Sequence, residues 1–230
     1  MEDRYQRQLI LPEIGPQGQR RLAEAKVLIV GVGGLGSPIA IYLAGAGVGN
    51  IGLVDDDVVS VTNLHRQVLY SESEVGQKKA LCARRRLLSL NSSISVNAYD
   101  TRLDSGNADD LVSQYDIVVD GTDNFKARYI ISDTCAKWHR PYVYGAICGL
   151  DGQVAVLCKG HATYRSLHPD EQATLSMPHP GKQVTGVTPA IVGSVEAAQV
   201  LQLICGYGEP LVDRLWTIDL RTMQSFVLDI

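Results

Sequence analysis

Residues 27–40 read VLIVGVGGLGSPIA: an apolar run, a knot of glycines, then small helix-forming residues. VLIV suits a strand buried on both faces, and the SPIAIYLAGAGV that follows suits a helix. Between them, Gly31-Val32-Gly33-Gly34-Leu35-Gly36 carries the G-x-G-x-x-G spacing. Glycines so placed let backbone N–H groups and a helix N-terminus close on a phosphate, and Gly31, Gly33, Gly34 and Gly36 are the candidate positions. Asp55 stands 19 residues past Gly36, where an acid that binds a ribose belongs. The loop implies a nucleotide, and by itself it serves NAD as well as ATP.

Working outward, strand and helix patterns alternate: NIGLVDDD, KKALCARRRLLSL, SISVNAYD, NADDLVSQ, DIVVDGTD and FKARYIISDTCAKWH. Such alternation predicts an α/β fold, a Rossmann-like and mainly parallel sheet with helices on both faces. PYVYGAICG, GQVAVLC, RLWTIDL and MQSFVLDI read as further strands and make the C-terminal part of the sheet mixed or antiparallel. PAIVGSVEAAQVLQLICG reads as a long helix, with Pro189 in its first turn and Gly206 at its C-terminal cap. Residues 159–187 break the pattern and hold three of five histidines and three of nine prolines. They are expected as one long, mobile loop crossing over the site.

At 230 residues the chain is expected to form a single domain over 1–230. Its composition is 45% hydrophobic and 20% charged, and a net charge of −4 leaves no electrostatic footprint for nucleic acid or a membrane surface. The N-terminus is charged from its second residue and no run of about 18 apolar residues is evident, so a cytoplasmic protein is expected. Five cysteines, odd in number and set in apolar surroundings, are expected as buried free thiols, Cys148 and Cys158 among them.

The chemistry concentrates where parallel strands end. Asp55, Asp56 and Asp57 close the second strand and would repel one another unless cations, ribose hydroxyls or nearby bases offset them. TNLHRQ then supplies Asn63, Arg66 and Gln67, and Lys79 opens the next helix. Arg by its fork and Lys as a point charge suit a triphosphate. In VVDGTDN, Asp123 follows a buried strand and can hold Mg²⁺ against phosphate oxygens. Asn124 can cap the helix that follows.

RYQRQ, GVGGLGSP, LAGAGVGNIGLVDDD, TNLHRQ, GQKKA, GTDN and GSVEAAQVLQLI occur in this order along nearly the whole chain. The set resembles the ThiF/MoeB/HesA adenylyltransferases, relatives of the ubiquitin-activating enzymes. The resemblance implies ATP- and Mg²⁺-dependent adenylation of the C-terminal glycine of a small ubiquitin-like sulfur carrier ending in Gly-Gly, as in thiamine or molybdopterin biosynthesis. It implies that Gly34 approaches the phosphates, Asp55 the ribose, and Asn63, Arg66 and Lys79 the triphosphate. Asp123 would hold Mg²⁺, and Arg7 would reach across a homodimer into the partner's site. An NAD-dependent oxidoreductase, or activation of another carboxylate, a peptide or a tRNA base, are the alternatives.

The chain departs from that family in two places. Where many relatives place a CYRC-like zinc pair, it reads Thr163-Tyr164-Arg165-Ser166, and it ends without a second pair. Four thiolates are what a closed zinc site needs, so no zinc is expected, and His161, His168 and His179 are expected as solvated loop residues. The segment SMPHPGKQVTGVTPAIVG lacks the sulfur-transfer cysteine of the thiamine-pathway members. A separate sulfur donor is therefore expected.

Overall fold

Strand β1 (Lys26–Val30) pairs in parallel with β2 (Asn50–Val54) on one side and β4 (Ile117–Asp120) on the other, which sets Val30 opposite both Val54 and Asp120. Three loops thus leave the sheet from one rung. The computed structural model describes residues 2–177 and 183–230, so His179 lies outside the described residues. Around these strands the chain runs α1 (Glu2–Leu9), α2 (Gly15–Glu24), β1, α3 (Gly36–Ala46), β2, α4 (Lys79–Leu90), β3 (Ser95–Tyr99), α5 (Ala108–Val112) and β4. It continues through α6 (Phe125–Trp138), β5 (Tyr142–Cys148), β6 (Asp151–Leu157), α7 (Tyr164–Leu167), α8 (Glu171–Ser176), α9 (Val187–Cys205), β7 (Arg214–Asp219) and β8 (Gln224–Asp229).

The eight strands form one sheet in the order β3-β2-β1-β4-β5-β6-β7-β8, parallel from β3 to β5 and antiparallel from β5 to β8. This is the mixed α/β architecture expected. The chain builds outward from β1 to β3, then returns to the other side of β1 with β4. Strand order therefore reverses between β1 and β4, and ligands of open parallel sheets bind at the carboxyl ends beside such a switch.

Period-2 alternation sends neighbouring side chains to opposite faces. Val27, Ile29, Ile51, Leu53 and Val119 pack under α2, α3, α4 and α9, while Leu28, Val30, Val54 and Val118 pack under α5 and α6. Each fully buried Leu, Ile or Val contributes about 1.5–3 kcal/mol over its exposed state. α9 is, among the described residues, the one helix long and apolar enough to cross a membrane by length and composition. Here it packs across β5, β6, α3 and α2 as a core helix, and Gly206 caps it in the left-handed region.

Three expectations need correction. Residues 159–187 hold α7 and α8 instead of one structureless loop. Thr163 and Ser166, at the positions of the family's zinc pair, close a capping box at the start of α7. Arg165 forks onto Asp133 of α6 at 3.0 and 2.7 Å, reaches Glu171 at 2.9 Å and lies over the Tyr129 ring. Of the two described loop histidines, His161 is exposed as expected, and only His168 is half-buried. His161 pairs with Asp213 at 2.7 Å, and the His168 ring lies 4.8 Å from that of Tyr164, where burial and Arg128 pull its pKa down. Finally, all five thiols are free, but Cys148 is exposed and Cys158 only half-buried. Cys148 is the last residue of β5, beyond the cover of the helices.

Glu196 is a further surprise. It lies on α9, wholly buried, with neither carboxylate oxygen partnered among the described residues, and it fills the space left by Gly145. Burial, reinforced by Asp120, pushes its pKa well above the usual carboxylate range. The folded chain thus holds this proton more tightly than the unfolded chain, so the Glu196 contribution to stability is most favourable below the ordinary carboxylate range and is lost as pH rises from there. Glu196→Gln should raise Tm at pH 8 by about 2–4 °C, the shift that roughly 1 kcal/mol makes in a domain of this size. The gain should shrink at pH 4; equal gains at both values would remove Glu196 as the cause.

Candidate active site

The glycine loop leaves β1 with Gly31 at φ +86, in the left-handed region that a side chain disfavours. A Cβ on Gly36 or Gly121 would collide with the Gly31 carbonyl oxygen, so the loops after β1 and β4 touch backbone to backbone. Val32 is tied at both its peptide groups: its N–H donates to Asp55 Oδ2 at 2.9 Å, and its carbonyl accepts from the Tyr70 hydroxyl at 2.7 Å. Among the described residues, the amides of Gly33, Gly34 and Leu35 donate to no protein acceptor. They lie where α3 begins, at the positive end of its dipole. The arrangement is a preformed anion cradle.

Burial raises the Asp55 carboxyl above the usual range, opposed by the Val32 N–H bond and the Lys79 charge. Its Oδ1 accepts from the Asp57 amide at 2.9 Å, and each oxygen keeps a second lone pair for a ligand hydroxyl. Asp55, Asp56 and Asp57 present oxygens within 4.8 Å of one another. Bases offset that repulsion: Lys79 Nζ lies 2.9 Å from Asp57, and Arg102 Nε lies 3.3 Å from Asp56. The Lys79 side chain is only 5% exposed, so its charge acts at the sheet edge and not in bulk water.

A 3-10 turn at Val61–Asn63 brings TNLHRQ back over the cradle, the Asn63 carbonyl accepting from the Arg66 and Gln67 amides at 3.0 Å each. The Gln67 side-chain amide packs beside Gly33 with its Oε1 buried and unpartnered among the described residues. Arg66 passes beside Gly34, its guanidinium held by the Thr62 carbonyl at 3.1 Å and by His65 at 2.8 Å. Pro189 of α9 closes the other side of Gly34. Asp123 follows Gly121 and Thr122 beyond β4, exposed and without a hydrogen bond or ion pair among the described residues. Asn124 caps α6, accepting from the Ala127 amide at 2.9 Å.

Arg7 stands apart from this group. α1 docks through Tyr5, which fills the space beside Gly47 and accepts from Asn91, and through Gln8 on the Ala46 carbonyl. These contacts are at the C-terminal end of α3, and the cradle is at its N-terminal end. Eleven residues of helix put about 16 Å between the two. Sequence reasoning also passed over Tyr70, Asp120 and Arg128. Asp120 was visible in VVDGTDN as an acid inside an apolar strand; Tyr70 and Arg128 gave no signal.

A nucleotide-binding α/β protein is what the switch-point cradle and its cations define. The chain belongs to the ThiF family, whose model matches residues 5–230. The sulfur carrier protein adenylyltransferase of Thermus thermophilus is 47% identical over 226 residues, covering 94% of this chain and 83% of that protein. The probable molybdopterin-synthase adenylyltransferase of Porphyra purpurea is 43% identical over 208 residues, covering 89% of this chain and 54% of that one. Among solved structures, E. coli MccB with AMPCPP and MccA superposes with a TM-score of 0.82 at 27% identity, covering 99% of this chain and 71% of that one. The first two of these relatives are adenylyltransferases by name, which decides the glycine loop for ATP over NAD.

The burial pattern makes a thiol prediction. Under native conditions a maleimide should label Cys148 first and Cys158 more slowly, while Cys82, Cys135 and Cys205 react only after unfolding. Mass mapping of labelled peptides checks it.

Proposed function

We propose that this chain uses ATP and Mg²⁺ to adenylate the C-terminal glycine carboxylate of a small ubiquitin-like sulfur carrier, releasing pyrophosphate. The observation that carries the reading is the cluster at one sheet edge: the two cations Arg66 and Lys79 and, unpartnered among the described residues, three backbone amides and the Asp123 carboxylate. Both relatives named above are adenylyltransferases, one of them for a sulfur carrier protein.

In this reading the free amides and Gln67 bind phosphate oxygens and ordered hydroxyls, and Asp55 accepts from the ribose. The carrier carboxylate attacks the α-phosphorus, forming the acyl–phosphate bond as the bond to the β-phosphate oxygen breaks. Carboxylate and phosphate are both anionic, so Arg66 and Lys79 lower the barrier by offsetting that repulsion and the charge growing on pyrophosphate. The residues fit a divalent ion: Asp123 offers a carboxylate with no competing partner, and Mg²⁺ favours one or two carboxylates plus phosphate oxygens. Bound there, Mg²⁺ would add positive charge on the leaving side.

The remaining steps follow from what the chain carries. In this reading Arg7, about 16 Å from its own cradle, serves the partner's site in a homodimer. Segment 176–193 has no cysteine, and in this reading the adenylate passes to a separate sulfur donor, with the reaction in the cytoplasm. The solved structure of MccB, of the same fold, contains AMPCPP and MccA; activation of a peptide carboxylate is the second reading.

Labelled pyrophosphate should exchange into ATP only when a Gly-Gly-ending carrier is present; no exchange with any cognate carrier overturns the reading. Asp123→Ala should lower exchange by about 100-fold or more with Tm unchanged. A further test concerns Arg7. Arg7→Ala and Asp123→Ala, each inactive, should recover about a quarter of wild-type activity when mixed and allowed to exchange subunits, since half the dimers then hold one complete site. If Arg7 served its own chain, the mixture would stay inactive.

A further inference from the structure

The loop that bears Asp123 has no secondary structure of its own, yet the residues before it are tied on every side. Asp120 is wholly buried at the end of β4, and its Oδ1 accepts from the Thr122 amide at 2.8 Å and the Thr122 hydroxyl at 2.6 Å. Its Oδ2 accepts from the Tyr142 hydroxyl at 2.6 Å and Arg128 Nε at 3.3 Å. Arg128, on α6, donates with its other arm, Nη2, to the Thr122 carbonyl at 3.2 Å. The guanidinium is buried, with the rings of Tyr144 and Phe125 at 5.5 and 6.0 Å. One planar fork therefore grips both the carboxylate that folds Thr122 back and the peptide group joining Thr122 to Asp123.

Neutralising Asp120 requires only the first of these arms. The second acts on the backbone immediately before an exposed carboxylate, and Asn124 anchors the backbone immediately after it. We infer that Arg128 is a positioning residue for Asp123, fixing the Thr122–Asp123 peptide so that the carboxylate stands where a divalent ion on ATP meets it. This rests on the role given to Asp123 above.

Arg128→Lys keeps the charge beside Asp120 and loses the fork. The probe is Mg²⁺ itself, titrated calorimetrically into protein holding an ATP analogue with a methylene between the α- and β-phosphorus. Mg²⁺ affinity should fall about 10-fold, while analogue affinity at saturating Mg²⁺ stays within about twofold. Deuterium uptake over residues 117–127 should be faster than in the wild type. Tyr142→Phe removes a bond to Asp120 from the opposite side, leaves both Arg128 arms, and should keep wild-type Mg²⁺ affinity. If Arg128→Lys does not fold, Asp120→Asn with Arg128→Gln leaves no lone buried charge and carries the same expectations. Wild-type Mg²⁺ affinity in the fork-less protein overturns the inference, as does an equal loss in Tyr142→Phe. Asp123→Asn separates the two claims: it should lose at least as much affinity, and wild-type affinity there overturns the role of Asp123 itself.

Discussion

Gly31 and Gly121 let two backbones touch at the point where strand order reverses, and every group of the site is placed relative to that contact. Val30, Val54 and Asp120 share a rung of the sheet. The next residues, Gly31, Asp55 and Gly121, therefore leave at one level. Parallel pairing points all three loops the same way, and the absence of side chains at Gly31 and Gly121 lets the phosphate loop and the Asp123 loop close on each other. An antiparallel arrangement of the same strands would send alternate loops to opposite edges.

Electrostatics around the rung is balanced in two layers. At the edge, three successive carboxylates are offset by Lys79, Arg102 and backbone amides, and Asp123 has no protein partner among the described residues. Beneath it, Asp120 and Arg128 pair inside the core, and burial, reinforced by Asp120, pushes the Glu196 carboxyl well above the usual carboxylate range. A buried pair costs desolvation that its attraction repays only with good hydrogen-bond geometry. Here Thr122 and Tyr142 supply it, and the Thr122 bonds also fold back the start of the loop above.

The strands, the helices of the alternating region and the helix caps were legible in the sequence because each has a local cause. VLIV, NIGLV and DIVV are apolar runs of strand length, Asn124 sits one residue before a helical pattern, and Gly206 one residue after another. α7 and α8 were not legible: each is short, polar, and held by partners distant in sequence, such as Asp133 for Arg165 and Ser132 for the Tyr164 amide. α1 shows the same blindness, since Tyr5 is secured by Asn91. Cys148 misled because a strand pattern tells which face a residue takes but not where the covering helices stop.

The sequence by itself determined the element order, the nucleotide loop and the identity of the charged residues, since spacing and residue type are local properties. Only the tertiary structure decided which of those residues share a site. Register placed the loops that bear Asp55 and Asp123 at one level of the sheet, burial of Lys79 turned a surface cation into a site charge, and the length of α3 removed Arg7 from its own cradle. It also brought Arg128 under Asp123. A parallel sheet joins loops far apart in the chain, and no local pattern records which strands become neighbours.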